Sequence, residues 1–258
     1  MNQKPYISII IPGIRVANWK AVYDSICDST NRSFELIFSG PYDLPENMKD
    51  LRNVKFVKDF GSPVRSSCVA ASLSEGKLLT WSADDALVLP GSLDKNIELL
   101  ENMGDDERNV IVCKYLEGKN GTAKSVQNDE YFRLSGSDWT SSPYLPKSWW
   151  LFNAPIMYRT FFEELGGWDC QFKGTFYSHA DMAVRAQFLG ANVKMSEHLF
   201  LDCDHSQDDH FPIEKAQVHH DKPVFLQRYR DPNWTQNEMR IKMDNWKDSP
   251  SVWERFLK

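Results

Sequence analysis

Short apolar strands alternate with short helices along this chain, and the alternation restricts its possible folds more than any other feature. The first run, residues 6–12, is rich in isoleucine and ends at Pro12-Gly13, which predicts a buried strand that stops at a turn. Further strands are predicted at 34–38, 54–57, 77–81 and 110–114, and helices at 18–27, 64–73, 92–103, 160–165 and 180–189. This order is typical of an α/β protein with a mostly parallel sheet flanked by helices.

Length and composition limit the class of protein. The chain has 258 residues, of which 41% are hydrophobic, enough for the core of one domain. Its formal net charge of −6 argues against a dedicated nucleic-acid binder. The five cysteines are widely spaced and form no C-x-x-C pair, which suits a reducing compartment. No signal peptide precedes the first strand and no apolar run has the length of a membrane span, so we expect a cytoplasmic protein with at most peripheral membrane contact.

The C-terminal part of the sequence is rich in large aromatic residues. A free linker would not carry so many large apolar groups. We therefore predict a main domain at residues 1–221 and a helical, aromatic C-terminal extension at 222–258 that packs on it. The aromatic residues concerned are Phe225, Tyr229, Trp234, Trp246, Trp253 and Phe256.

Two adjacent aspartates, Asp84 and Asp85, follow the predicted strand at 77–81. Carboxylates at the carboxyl end of a strand lie where open α/β sheets bind ligands. Two neighbouring carboxylates are costly to keep ionised unless a cation or a hydrogen-bond donor compensates them. A divalent ion that carries a diphosphate would provide this compensation. The alternative is a solvated turn or a helix N-cap before Pro90-Gly91.

Several motifs, in their order and spacing, resemble those of family 2 glycosyltransferases with the GT-A fold, over roughly residues 6–205. The resemblance implies a GT-A (Rossmann-like) sheet and a sugar donor linked to UDP or GDP. It also implies inverting transfer to a hydroxyl of a saccharide or lipid-linked saccharide, as in polysaccharide biosynthesis. The motifs are the strand that ends at Pro12, the small-residue helix at 65–76, Ser82-Ala83-Asp84-Asp85, Leu165-Gly166-Gly167-Trp168-Asp169, and Asp181-Met182-Ala183-Val184-Arg185.

The same resemblance implies which residues form the site. A divalent Mn²⁺ or Mg²⁺ held by Asp84, Asp85 and His205 would neutralise the charge that develops on the leaving diphosphate. A guanidinium matches phosphate geometry, so Arg15 and Arg65 suit the diphosphate, although ordinary surface charge explains them equally well. The full set of expected donor-binding residues is Pro12, Gly13, Arg15, Ser39, Arg65, Ser82 and Asp84.

Three positions depart from the family pattern. Ser82 replaces the first acidic residue of the aspartate motif, and Ser39-Gly40-Pro41 stands where the family usually offers an aspartate to the nucleoside. The usual Glu-Asp pair is replaced by Ser178-His179.

The third departure affects the general base, which a direct displacement needs. An imidazole is a competent base near neutral pH, so His179 and Asp181 are both candidates. At i and i+2 of one helix, their side chains point about 200° apart. Both therefore cannot face one acceptor unless His179 precedes the helix.

Other classes of protein fit the sequence less well. A dinucleotide-dependent dehydrogenase needs G-x-G-x-x-G after the first strand, and a nucleotidyltransferase needs a glycine-rich loop there, whereas this chain has only Gly13. A zinc hydrolase would need more clustered histidine and aspartate before residue 202. The departures leave one alternative open, a catalytically degenerate relative that binds a sugar nucleotide or glycan without turnover.

Overall fold

The computed structural model describes residues 4–118, 125–126, 133–135, 148–204, 211–230 and 240–257. The strands are β1 Ile7–Pro12, β2 Phe34–Gly40, β3 Val54–Lys58, β4 Leu78–Trp81, β5 Ala86–Val88, β6 Asn109–Gly118, β7 Ser125–Val126, β8 Arg133–Ser135, β9 Ser148–Trp150, β10 Pro155–Tyr158 and β11 Asn192–Asp204. The α-helices are α1 Trp19–Ser29, α2 Pro63–Ala71, α3 Ser92–Glu101, α4 Arg159–Leu165, α5 Thr175–Phe188, α6 Phe211–Ala216 and α7 Lys222–Arg230. A π-helical turn, Gln217–Asp221, joins α6 to α7.

One mixed sheet forms the centre of the molecule, with strand order β3-β2-β1-β4-β10-β6-β11-β5 and β7 paired to β6. The half made of β3, β2, β1 and β4 is entirely parallel, and β6 and β11 are parallel as well. Strand β10 runs antiparallel to both neighbours, and β5 runs antiparallel to β11. The predicted α/β fold class is confirmed, and the antiparallel strands are the feature that the sequence pattern did not indicate.

The parallel half of the sheet places three strand ends at one edge. Strand β1 is buried along its isoleucine run, and its register pairs Pro12 with Ser39 of β2 and Ile10 with Trp81 of β4. The loops that follow these strands therefore start close together. Helix α2 covers this region, and the Oγ of Ser62 caps it by accepting a hydrogen bond from the backbone N–H of Arg65 at 3.3 Å.

The C-terminal residues pack on the body of the protein. Helix α7 buries Phe225 and Tyr229 completely. Further along, the amide of Asn245 donates to the carbonyl of Trp168 at 3.0 Å. The backbone N–H of Trp253 donates to the carbonyl of Phe60 at 2.8 Å. The predicted boundary at residue 221 falls inside one continuous helical stretch from 211 to 230 and stays a prediction.

A pair of glycines shapes the turn that receives this segment. Gly166 and Gly167 both have positive φ, at 78° and 71°, a conformation that side chains other than glycine rarely adopt. A Cβ on Gly166 would also lie 1.8 Å from the carbonyl oxygen of Ile241. The C-terminal segment can therefore pack this closely against the turn only because position 166 is a glycine. In the part of the chain that the structure describes, no helix combines the length and apolarity needed to cross a membrane.

Candidate functional site

A cavity of about 760 Å³ opens where β1, β2 and β4 end. It brings together eight of the predicted site residues and leaves out Arg65 and Asp181, while His205 lies outside the described residues. This is the carboxyl edge of the parallel strands, where α/β sheets bind ligands. The eight residues are Pro12, Gly13, Arg15, Ser39, Ser82, Asp84, Asp85 and His179.

The loops after β1 and β2 touch at the floor of the cavity. The backbone N–H of Gly13 donates to the carbonyl of Ser39 at 2.8 Å. A Cβ on Gly40 would lie only 2.0 Å from the carbonyl oxygen of Gly13, so any larger residue at position 40 would separate the two loops. The close approach explains the Gly40-Pro41 sequence without a direct ligand contact.

Asp84 holds the loop between β1 and α1 in place. Its carboxylate is 1% exposed. Oδ2 accepts hydrogen bonds from the backbone N–H groups of Ile14 at 2.7 Å and Arg15 at 2.5 Å, and from Trp19 Nε1 at 3.2 Å. Oδ1 accepts from Arg15 Nη1 at 2.8 Å. The backbone carbonyl of Asp84 also accepts from Asn18 Nδ2 at 3.0 Å. Asp84 is therefore a structural anchor of the loop.

These contacts do not fit the divalent ion predicted at Asp84. Both of its carboxylate oxygens already accept hydrogen bonds from the chain, and the Nη2 of Arg15 lies 3.3 Å from the Oδ2 of Asp85. Arg15 thus stands between the two carboxylates that were expected to share the ion. Among the described residues, no group of three or more histidine, cysteine, aspartate or glutamate side chains is arranged to hold a metal ion.

Arg65 does not face the cavity, contrary to the expectation that it binds the diphosphate. Its Nε donates to Asp59 Oδ1 at 3.0 Å in a buried ion pair. Its Nη1 donates to the carbonyl of Trp246, and to the carbonyl of Ser249 at 3.2 Å. The guanidinium therefore attaches the C-terminal segment to α2.

Asp181 is also turned away from the cavity and is not placed to act as a base. It is fully buried. It accepts hydrogen bonds from Arg185 Nε at 2.8 Å, Arg228 Nη1 at 2.6 Å and Tyr229 OH at 2.6 Å. Burial alone would raise the pKa of Asp181, but the charges of Arg185 and Arg228 together with the Tyr229 hydrogen bond hold it below its usual value. The carboxylate joins α5 to α7.

His179 is the residue of the altered pair that reaches the cavity. Helix α5 begins at Thr175, five positions before the predicted start, so His179 and Asp181 lie within one helix and face different sides. The imidazole of His179 lies against the indole of Trp81, with ring centroids 5.5 Å apart. Enclosure by protein lowers the pKa of His179 to about 3. The imidazole is therefore neutral near pH 7 and is by itself a weak base.

Two serines that line the cavity, Ser39 and Ser82, stand at positions where the family pattern has carboxylates. Their Oγ atoms are inaccessible to solvent and have no hydrogen-bond partner among the described residues. A buried hydroxyl without a partner is costly, so a side-chain rotation that turned either hydroxyl towards a polar ligand group in the cavity would be favourable. They offer neutral hydrogen bonds in place of negative charge.

The sequence reasoning missed several residues that line the cavity. Strand β6 was predicted to end at 114 but continues to Gly118, which places Tyr115 and Glu117 in the wall. Asn153 joins them and donates to the Tyr115 hydroxyl at 3.0 Å. No local pattern distinguished Glu117 from the polar stretch that follows it.

The C-terminal segment contributes further missed residues. Trp253, Arg255 and Phe256 lie in the wall beside Gly61 and Pro63. The ring of Phe256 meets that of Phe60 edge to face, with centroids 6.4 Å apart. The aromatic composition of the segment predicted its packing but gave no sign that it reaches the site.

Comparison with known proteins gives structural likeness only. No protein-family model matches the chain, and no curated protein matches it in sequence. Among solved structures, S. aureus TarS 1-349 in complex with UDP matches with a TM-score of 0.56 and 13% identity, over 92% of this chain and 68% of that one. The complex of TarS 1-349 with UDP-GlcNAc matches with a TM-score of 0.55 and 13% identity, over 92% and 69%. TarS is a family 2 glycosyltransferase of the GT-A type.

This protein has the GT-A fold. The fold predicted from the sequence resemblance is thereby confirmed. In the two other superpositions, this chain spans 60% of TarS 1-349 and 38% of TarS, both with a TM-score of 0.54 and 13% identity.

Proposed function

We propose that this protein transfers a sugar from a nucleotide-diphosphate donor to a hydroxyl of a saccharide or lipid-linked saccharide. The observation that carries the proposal is the cavity at the carboxyl ends of β1, β2 and β4, lined by Ser39, Ser82, Arg15 and His179. Support comes from the similar TarS structures that hold UDP and UDP-GlcNAc, which also make a UDP-linked donor our choice over a GDP-linked one.

The lining residues suit the parts of such a donor. A nucleoside has neutral hydrogen-bonding groups, for which the hydroxyls of Ser39 and Ser82 are suitable partners. A diphosphate is an anion, for which the guanidinium of Arg15 is suitable. We therefore propose that the nucleoside lies near the ends of β1 and β2 and that the diphosphate lies towards Arg15.

The proposed reaction is a single displacement with inversion. The acceptor hydroxyl attacks the anomeric carbon, the bond between that carbon and the phosphate oxygen breaks, and its electron pair leaves with the diphosphate. The hydroxyl proton passes to a base in the cavity. We assign this role to His179, which faces the cavity. Burial makes its neutral imidazole a weak base, and the negative diphosphate of a bound donor would raise its pKa towards the working range. Glu117 is the second candidate.

We also propose a cytoplasmic setting. All five cysteines are free thiols, and the Sγ atoms of Cys68 and Cys170 lie 3.3 Å apart without a bond between them. Two buried thiols in contact are typical of a reducing compartment. The state of these two thiols in protein purified under non-reducing conditions tests this part of the proposal.

A second candidate function is binding of a sugar nucleotide or glycan without turnover. It is favoured by the loss of a carboxylate at Ser82 and by the engagement of Asp181 with two arginines. Release of UDP from a UDP-sugar in the presence of an acceptor separates the two functions, because a binding protein would hold the donor intact.

Calorimetric titration with UDP, GDP, ADP and uridine tests the proposal directly. We expect UDP to bind most tightly, and we expect Ser39→Ala to weaken UDP binding by roughly three- to tenfold, the effect of one neutral hydrogen bond. Ser72→Ala is the matched control, because Ser72 is exposed and its hydroxyl donates within α2 to Val69. Failure of all three nucleotides to bind would refute the proposal.

A further inference from the structure

We propose that Arg15 is the resident cation of this site and takes the place of a divalent metal towards the donor diphosphate. The inference rests on the proposed function. Its starting observation is that one guanidinium contacts both aspartates of the Asp84-Asp85 pair, through Nη1 at 2.8 Å and Nη2 at 3.3 Å.

The position of Arg15 is fixed at both ends of the residue. Its backbone N–H donates to Asp84 Oδ2 at 2.5 Å, and its side chain donates to Oδ1 of the same carboxylate. The side chain is 15% exposed and lies in the cavity wall. A charge held in this way needs little rearrangement to meet a ligand.

A divalent ion and this arginine compete for the same carboxylates. To bind Asp84, an ion would have to displace donors on Oδ2 or share Oδ1 with the Nη1 of Arg15, which would place it directly beside the guanidinium. An ion bound to Asp85 alone would lie close to the positive guanidinium, and like charges at such a separation repel. Arg15 therefore already supplies a positive charge to both carboxylates.

The same guanidinium has the geometry that a diphosphate needs. Its planar set of donors matches phosphate oxygens, and charge-assisted hydrogen bonds of this type are about twice as strong as neutral ones. As the bond to the sugar breaks, negative charge grows on the diphosphate, and a cation already in position stabilises it. Arg15 therefore supplies the electrostatic role that the sequence had assigned to a metal.

The first test uses the unmodified protein. UDP affinity is measured by calorimetry in EDTA and in Mn²⁺, and Mn²⁺ binding in the presence of UDP is followed by electron paramagnetic resonance. We expect the two affinities to agree within about twofold, and no protein-bound Mn²⁺ beyond that of the free Mn²⁺–UDP complex. A tenfold or greater gain with Mn²⁺, or a bound ion that Asp85→Asn removes, would overturn the inference.

The second test removes the guanidinium. In EDTA, Arg15→Ala should weaken UDP binding by about tenfold to a hundredfold, the effect of losing a charge-assisted contact, and should leave uridine binding unchanged. Arg32→Ala is the matched control, since Arg32 pairs with Asp94 and Glu101 and does not line the cavity. Equal UDP affinity in Arg15→Ala and the unmodified protein would refute the inference.

The outcomes separate the inference from the proposed function. If UDP binds only with Mn²⁺, the inference fails and the proposed function stands. If no nucleotide binds in either buffer, the proposed function fails and the inference fails with it. The unmodified protein gives the decisive comparison even if Arg15→Ala does not fold.

Discussion

Replacing Asp84 by asparagine should lower the free energy of unfolding by about 3 kcal/mol. The substitution preserves the shape of the side chain and removes its charge. The original carboxylate accepts three hydrogen bonds on Oδ2 and one on Oδ1, from Ile14, Arg15 and Trp19. An asparagine amide has one acceptor oxygen, so its NH₂ group must face at least one of these donors.

The expected magnitude follows from those contacts. In the better orientation, the amide oxygen faces the three donors on the Oδ2 side, and the NH₂ group meets Arg15 Nη1. This loses one charge-assisted hydrogen bond, about 1.5–3 kcal/mol, and weakens the three that remain. Removing one partner of a fully buried ion pair costs about 3–5 kcal/mol, and the partial exposure of Arg15 places the expected value at the lower end.

Equilibrium unfolding in urea, followed by tryptophan fluorescence, measures this change. Asp43→Asn is the control, because that carboxylate is exposed and forms a surface ion pair with Lys58, and its unfolding curve should coincide with that of the unmodified protein. A loss below about 1 kcal/mol for Asp84→Asn, with an unchanged denaturant slope, would mean that Asp84 does not anchor the loop.

Three further predictions concern the cavity. His179→Gln should lower the rate of sugar transfer, measured by steady-state kinetics, at least about a hundredfold, while UDP affinity, measured by calorimetry, stays unchanged. An equal loss of transfer rate and UDP affinity would argue against His179 as the base and in favour of Glu117. The pKa of His179 is lowered to about 3, below its unfolded value, so the unfolded state binds the proton first and stability should fall as pH drops from about 6.5 towards 3. Urea unfolding across that range should show a shallower fall in His179→Gln, and identical slopes would contradict the lowered pKa. Phe256→Ala should weaken uridine binding about tenfold by calorimetry, whereas Leu257→Ala, at an exposed neighbour, should not. Equal uridine affinities of the two variants would mean that Phe256 does not contact the nucleoside.

Local sequence patterns predicted the elements that contain a distinctive apolar run or turn motif. The isoleucine run of β1 and the Gly166-Gly167 turn both lie where the sequence placed them. The start of α5 was misplaced because Gly174 precedes it without a side-chain cap, so nothing in the sequence marks Thr175 as helical. Strand β10 was not predicted, and its direction was hidden as well, since apolar composition does not distinguish an antiparallel strand from a parallel one.

The roles of charged residues were harder to predict, because their partners lie far along the chain. Asp181 pairs with Arg228, 47 positions away, and Arg65 contacts Ser249, 184 positions away. An aspartate motif after a strand has the same sequence whether it holds a metal or a loop. The donors to the Asp84 carboxylate from Ile14, Arg15 and Trp19 favour the second role.

The docking of the C-terminal segment on the body of the protein is linked to ligand affinity. Val252 and Trp253 pair with Phe60 at the backbone, and Trp253, Arg255 and Phe256 form part of the cavity wall. Coupling of this kind is reciprocal, so any factor by which the docked segment tightens a ligand is the factor by which that ligand shifts the equilibrium of the segment towards its docked state. Hydrogen exchange at the Trp253 amide therefore reports on the occupancy of a cavity that this amide does not enter.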